Sequence, residues 1–260
     1  NGTIVTASAL RVTAVNTSLL NNTNQVGTLA GTISGDAQGL DFTNGQALTV
    51  GTVLGTNGLA IGSASSRGNL TLDTAGAATG TGTVTQTQAI TTGGLLVRSN
   101  GDVTLTNPAN NAATLAANTA GGNLSYVDAD NLAVGTLAPN AGGATTAGIT
   151  AGTTSGGATV KLESVAGALS QAAASPITTQ NLYVGTASGA ILDNTTNDVA
   201  TLAARVSGAG AFVFADKNDL TIGTVADVAG TPMDGVRTAN GAIRLSASKD
   251  AASTSGNLAL

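Results

Sequence analysis

The chain has 260 residues, with nine Lys and Arg against fourteen Asp and Glu, and no Cys, His or Trp. Zinc, haem and iron–sulfur sites built on thiolate or imidazole ligands are therefore excluded, and a formal charge of −5 lacks the basic face that nucleic-acid binding requires. Apolar residues make up 42% of the chain but aromatic ones only 2%, so the composition calls for a narrow aliphatic core.

Along the chain, short period-two segments recur at Leu48-Thr49-Val50, Leu70-Thr71-Leu72, Val103-Thr104-Leu105, Leu132-Ala133-Val134 and Leu182-Tyr183-Val184. Each alternates inward aliphatics with an outward, mostly small or polar residue, the pattern of a half-buried strand. Asn-Gly pairs at Asn44-Gly45, Asn57-Gly58, Asn100-Gly101 and Asn240-Gly241 punctuate them with sharp turns. The Ala-rich stretches 109–120 and 166–174 align with strand regions of sister repeats, so strands are expected there too. No apolar run is long enough for a membrane-spanning helix, and no membrane insertion is expected.

Repetition organises these strands. Phe42, Tyr126 and Phe214 are each followed six positions later by an aliphatic, Leu48, Leu132 and Leu220. Thr-Leu-Ala triplets start at Thr28, Thr114 and Thr201, spaced by 86 and 87. The expected organisation is one continuous solenoid over residues 1–260, with super-repeats of about 86 residues at approximately 2–81, 82–166 and 167–255. Gly2-Thr3-Ile4 and Gly256-Asn257-Leu258 stand at similar phases and neither resembles a cap, which suits a segment of a longer array.

Tight turns between three-residue strands predict an all-β parallel β-helix, with an antiparallel β-sandwich array as the rival. At roughly 20 residues per turn, each super-repeat would make about four turns and the chain about thirteen, a rod roughly 60 Å long. Leu48 and Val50, Leu132 and Val134, and Leu220 and Ile222 are the predicted core ladders, with Phe42, Tyr126 and Phe214 as bulky plugs.

Chemistry-bearing residues are few. Asp128 and Asp130 recur as Asp216 and Asp219, and Asp-x-Asp spacing makes these four the candidates for a calcium site. Capping of turns by solvated carboxylates is the plainer reading, and no cofactor is otherwise expected. Glycoside hydrolysis needs paired carboxylates, usually beside aromatic platforms; Glu163 is the single Glu, and Lys161 reads as an outward strand residue. A non-catalytic protein is expected.

The segments Asn197-Asp198-Val199-Ala200-Thr201-Leu202-Ala203, Asp216 to Gly223, and Gly235-Val236-Arg237-Thr238-Ala239-Asn240-Gly241 resemble the repeat regions of filamentous-haemagglutinin-like bacterial surface exoproteins. The resemblance is one of repeat style and extends over essentially the whole chain. It implies a right-handed parallel β-helical shaft exported across the outer membrane to the cell surface, with a role in adhesion, aggregation or biofilm. The implied partners are neighbouring repeats or copies in a fibre, and a host-surface, cell-surface or glycan receptor. The alternative function is a carbohydrate- or receptor-binding β-helix such as a phage tailspike or a polysaccharide-active enzyme.

Overall fold

The structure, a computed structural model, describes residues 4–120, 122–152, 157–248 and 257–259. Gly2, Thr3 and Gly256 lie outside these residues, as do 249–255 of the third super-repeat. The described residues form strands, turns and bends without a helix, including over Asn111–Thr119 in the first Ala-rich stretch. Pairing between successive turns is parallel throughout. Among the described residues antiparallel pairing is confined to three short hairpins and one isolated bridge, Gly62 with Arg67. The chain is a parallel β-helix, and the antiparallel sandwich is overturned.

Three stacks of strands make the walls. One runs through Leu48, Val84, Val103, Leu124, Val160, Leu182 and Leu202, each paired in register with the next. All seven point inward and are buried, and they belong to one apolar cluster that extends through every turn. Each fully buried aliphatic contributes about 1.5–3 kcal/mol by removal from water, so stability is spread along the axis. The predicted core residues Leu48, Val50, Leu132, Val134 and Leu220 are buried, as are Phe42, Tyr126 and Phe214. Ile222 departs from expectation: it packs against the core but is only half-buried. Its rung (one turn's layer of strands) is followed by Leu258 and Ala259, and the described residues reach no further opposite it.

The number of turns differs from the sequence expectation. Plain turns are as expected, 19 residues from Val84 to Val103, 21 from Val103 to Leu124 and 20 from Leu182 to Leu202. Once per super-repeat, however, a turn swells to 36, 37 or 38 residues, from Leu48 to Val84, Leu132 to Leu169 and Leu220 to Leu258. Each of these steps carries a hairpin, and in the first the excess also includes the turn-rich loop over residues 75–83. Between Leu40 and Leu124 the chain lays down ten wall segments, because the long strands Ile90–Ser99 and Asn111–Thr119 bend across a corner and serve two walls. Ten segments on three walls are three and a third turns, not four. The walls hold about ten rungs, and at about 4.8 Å per rung the shaft is roughly 45 Å long.

The extra third of a turn rotates each super-repeat by one wall. Phe42 stacks on Leu72, Tyr126 between Leu105 and Leu162, and Phe214 between Leu192 and Leu245, three separate ladders. The bulky plugs therefore do not pile up on one side of the core.

Corners are closed by buried amides and carboxylates. Asn24, Asn110 and Asn197 each accept a backbone N–H from the preceding turn, from Val5, Ile90 and Ile177 at 2.8–2.9 Å. Asn44, Asp128 and Asp216 do the same for Val26, Ala112 and Val199, each at 2.9 Å. Buried backbone groups left unpaired at these bends would each cost about 1–3 kcal/mol.

Candidate functional site: a groove beneath the third hairpin

The three hairpins pair Thr52–Val53 with Thr56–Asn57, Thr136–Leu137 with Thr146–Ala147, and Thr224–Ala226 with Pro232–Asp234. Their roots are alike. Gly58, Gly148 and Gly235 donate N–H to the carbonyls of Gly51, Gly135 and Gly223 at 2.8, 2.9 and 2.9 Å. All three donors have positive φ, 66°, 71° and 66°, a region that favours glycine. A Cβ on Gly148 would also run into the Pro176 carbonyl of the next turn. Gly148→Ala is expected to destabilise the protein by about 1–3 kcal/mol, read as a lower urea midpoint; an unchanged midpoint would contradict this geometry.

Each hairpin folds back over the wall from which it emerges. This explains the Thr-Leu-Ala triplets: Leu29, Leu115 and Leu202 point inward, while Ala30, Ala116 and Ala203 are covered from outside and equally buried. Only a small outward side chain leaves room for the strap. The second hairpin reaches back to Asp41, whose carboxylate accepts the Asn140 N–H at 3.0 Å, the Asn140 side-chain amide at 2.8 Å and the Ala141 N–H at 2.8 Å. Asp41, Thr71 and Leu96 are all buried beneath it.

The third hairpin reaches back to Lys161, whose Nζ lies 3.0 Å from Asp227 and 3.2 Å from Glu163. Lys161 also sits over the Tyr183 ring, 5.3 Å from its centroid. Burial pulls the Lys161 ammonium down, but hydrogen bonds to Asp227 and Glu163 outweigh this and hold it above its ordinary range. Burial raises Asp227, yet the Thr231 N–H and Lys161 hold its carboxyl below the usual range. Both partners are thus ionised at neutral pH. Lys161 is outward, as the sequence suggested, but is a strap anchor as well as a surface residue.

The third hairpin leaves open space beneath it. A cavity of about 550 Å³ lies between it and the wall, continuous with one of about 270 Å³ through their shared lining residues Tyr183, Arg205, Ser207 and Met233. Arg205 and Arg237 stand in register on adjacent rungs and both line the larger cavity. Both are exposed, and neither has a hydrogen bond or ion pair among the described residues. The equivalent in-register pairs in the other super-repeats are Thr32 with Ala60 and Asn118 with Thr150. Tyr183 likewise stands where the others have Arg11 and Leu96. The sequence signal for this site is a break in the repeat, visible only once the true alignment of rungs is known.

The metal candidates are not gathered into one site. Asp128 and Asp216 are buried on different walls with their oxygens engaged. Asp128 accepts the Ala112 N–H and the Tyr126 hydroxyl on one oxygen, at 2.9 and 2.8 Å, and the Asp130 N–H on the other at 3.0 Å. Asp216 accepts the Val199 and Asn218 N–H groups at 2.9 and 3.0 Å. Asp130 accepts the Asn111 side-chain amide at 2.7 Å, and Asp219 the Asn257 N–H at 2.8 Å. Among the described residues no three acidic side chains are grouped to hold an ion. The solvated turn-capping expected of these residues is corrected for Asp128 and Asp216, which cap from inside the wall.

That burial has a consequence for pH. Desolvation pushes the Asp216 carboxyl up to about 6, against backbone hydrogen bonds that lower it. A folded-state value above the unfolded one, about 3.9, means that folding is favoured by the neutral form. This contribution is fully present below the unfolded value and is lost as pH rises through about 6. Asn44 supplies an amide at the equivalent corner. Asp216→Asn is therefore expected to reduce the loss of stability between pH 4.5 and 7.5, by roughly 2 kcal/mol, in urea titrations at the two pH values. An identical pH slope in both proteins would refute it.

No known protein family, curated protein or solved structure matches this chain.

Proposed function

We propose that the chain is a structural and adhesive shaft segment of an extracellular bacterial fibre or surface adhesin, of the filamentous-haemagglutinin-like kind, and that it is not catalytic. The observation that carries this reading is the extra third of a turn. Because each super-repeat rotates by one wall, adding units lengthens the rod while strapping each wall in turn. A design of this kind resists bending equally in all directions, which suits a shaft. Two carboxylates of the outer surface are held in ion pairs, Asp198 by Lys217 at 2.8 Å and Asp227 by Lys161 at 3.0 Å, which suits a structural role. The expected partners are neighbouring repeats or further copies, and a receptor on a cell surface.

Repeating residues 124–211 once more in tandem provides the test. Small-angle scattering and electron microscopy should show a rod longer by about 16 Å, at about 4.8 Å per rung, with the same cross-section. A wider particle of unchanged length would sink the shaft reading.

A further inference from the structure

We propose that the groove beneath the third hairpin binds an acidic saccharide chain, with Arg205 and Arg237 holding a carboxylate or sulfate group and Tyr183 supporting an adjoining sugar ring. Two arginines on neighbouring rungs repel one another, and here neither is offset by an acidic partner among the described residues. Arg11, Arg67, Arg98, Lys161 and Lys217 each have a partner, and Arg244, which has none among the described residues, stands alone on another wall and not beside a second arginine. Their equivalents Thr32 and Ala60, and Asn118 and Thr150, show that the rung itself needs no charge at these positions. A pair that is unnecessary for the fold, mutually repulsive and turned into a 550 Å³ cavity is complementary to an anion.

The rest of the lining indicates which anion carrier fits. Tyr183 and Met233 give an apolar floor, while Thr231 lines the cavity with its hydroxyl and Ser207 and Thr238, whose hydroxyls donate to the Thr186 and Gly241 carbonyls, offer acceptor lone pairs to sugar hydroxyls. Asp234 is the one carboxylate lining this cavity, and it accepts the Thr224 hydroxyl at 2.6 Å from the hairpin side. The smaller cavity continues past Gly185 towards Glu163, which Lys161 holds. An extended chain lying across the rungs would thus have its acid group at the arginines and a neighbouring ring over Tyr183. This proposal goes beyond the shaft reading and stands without it, because binding and rod length are measured separately.

The test uses calorimetric titration of the full chain with oligogalacturonate, a sulfated dextran oligomer, neutral dextran and polyglutamate. Arg205→Asn with Arg237→Thr imports the residues of the second super-repeat, so the fold is preserved and checked by its unchanged urea midpoint. Binding of either acidic saccharide, weakened at least tenfold in this double variant and several-fold in Tyr183→Leu, is the expected result; the tighter of the two identifies carboxylate or sulfate as the group. Arg244→Gln, an exposed arginine on another wall, should leave affinity unchanged. Absence of saccharide binding, equal loss in Arg244→Gln, undiminished binding by the double variant, or a preference for polyglutamate would each overturn the proposal.

Discussion

Replacing Leu132 with Asp is expected to open the rungs on either side of it. Leu132 is buried, in register with Leu169 on the next rung and part of the continuous apolar cluster. An ionised carboxylate there has no partner and costs several kcal/mol in desolvation, in addition to the lost apolar burial. That is comparable to the whole stability of an ordinary domain, about 5–15 kcal/mol. In a stack whose units contact only their neighbours the damage is local first. Limited proteolysis should therefore cut within the turns that hold Leu115, Leu132 and Leu169. Ala133→Asp, one residue along and outward, is the control and should remain resistant. Equal resistance of the two variants would contradict the inward assignment.

Asn110→Ala should rank second, at about 3–5 kcal/mol, because one side chain closes several backbone groups. Its Oδ1 accepts the Ile90 N–H at 2.9 Å and the Gln86 amide at 2.8 Å. Its Nδ2 donates to the Leu105 and Val127 carbonyls, both at 3.1 Å, and to Gln86 at 2.8 Å. Truncation strands an N–H and two carbonyls inside the wall. Asn197 repeats the arrangement with Ile177, Leu192, Ala215 and Gln171, and its replacement should cost a similar amount. Asn110→Asp should also be harmful, since a carboxylate cannot donate to Leu105 and Val127. Urea midpoints for the three variants check the ranking, and a loss under about 1 kcal/mol for Asn110→Ala would refute the role assigned to it.

The two kinds of corner explain why one demands an amide while the other takes Asn44 in the first super-repeat and a carboxylate in the next two. At Asn24, Asn110 and Asn197 the side chain donates to two or more carbonyls as well as accepting an N–H, so an amide is required. At Asp128 and Asp216 both oxygens accept, so a carboxylate fits despite burial. Tyr126 adds its hydroxyl to Asp128, and burial followed by that carboxylate pushes the phenol well above its ordinary range, so it remains the donor. Phe214 stands in its place beside Asp216.

Much of the wall was legible in the sequence because period-two aliphatics such as Leu132 and Val134 report directly which side chains face inward. Spacing of the aromatics was legible as a period, but its conversion into turns was not. A period of about 86 residues divides evenly into four turns of about 20, and nothing local marks the 36-residue step from Leu48 to Val84 as one turn. The Gly-Thr pairs at Gly51, Gly135 and Gly223 look like further strand ends, yet they are hairpin roots. Acidic residues misled for a different reason. Asp128 and Asp216 sit in turn-like sequence, and their burial depends on the turn stacked beneath them. Arg205 and Arg237 are 32 residues apart and become neighbours only because the third hairpin intervenes between their rungs.

The step carrying the first hairpin is 36 residues, from Leu48 to Val84, and this makes each super-repeat three and a third turns. Thr49 and Thr85 are in register with hydroxyls 3.0 Å apart, and the chain contains no Cys. A Thr49→Cys, Thr85→Cys protein should therefore close a disulfide spontaneously in air, since adjacent rungs place Cα atoms within the roughly 4.4–6.8 Å that the bond requires. The Thr49→Cys, Asn69→Cys protein, whose 20-residue spacing matches a uniform turn, should stay reduced. Non-reducing mass analysis with peptide mapping reads both. A bridge in the 49–69 pair, with free thiols in the 49–85 pair, would contradict the third-turn rotation on which the account of the shaft rests.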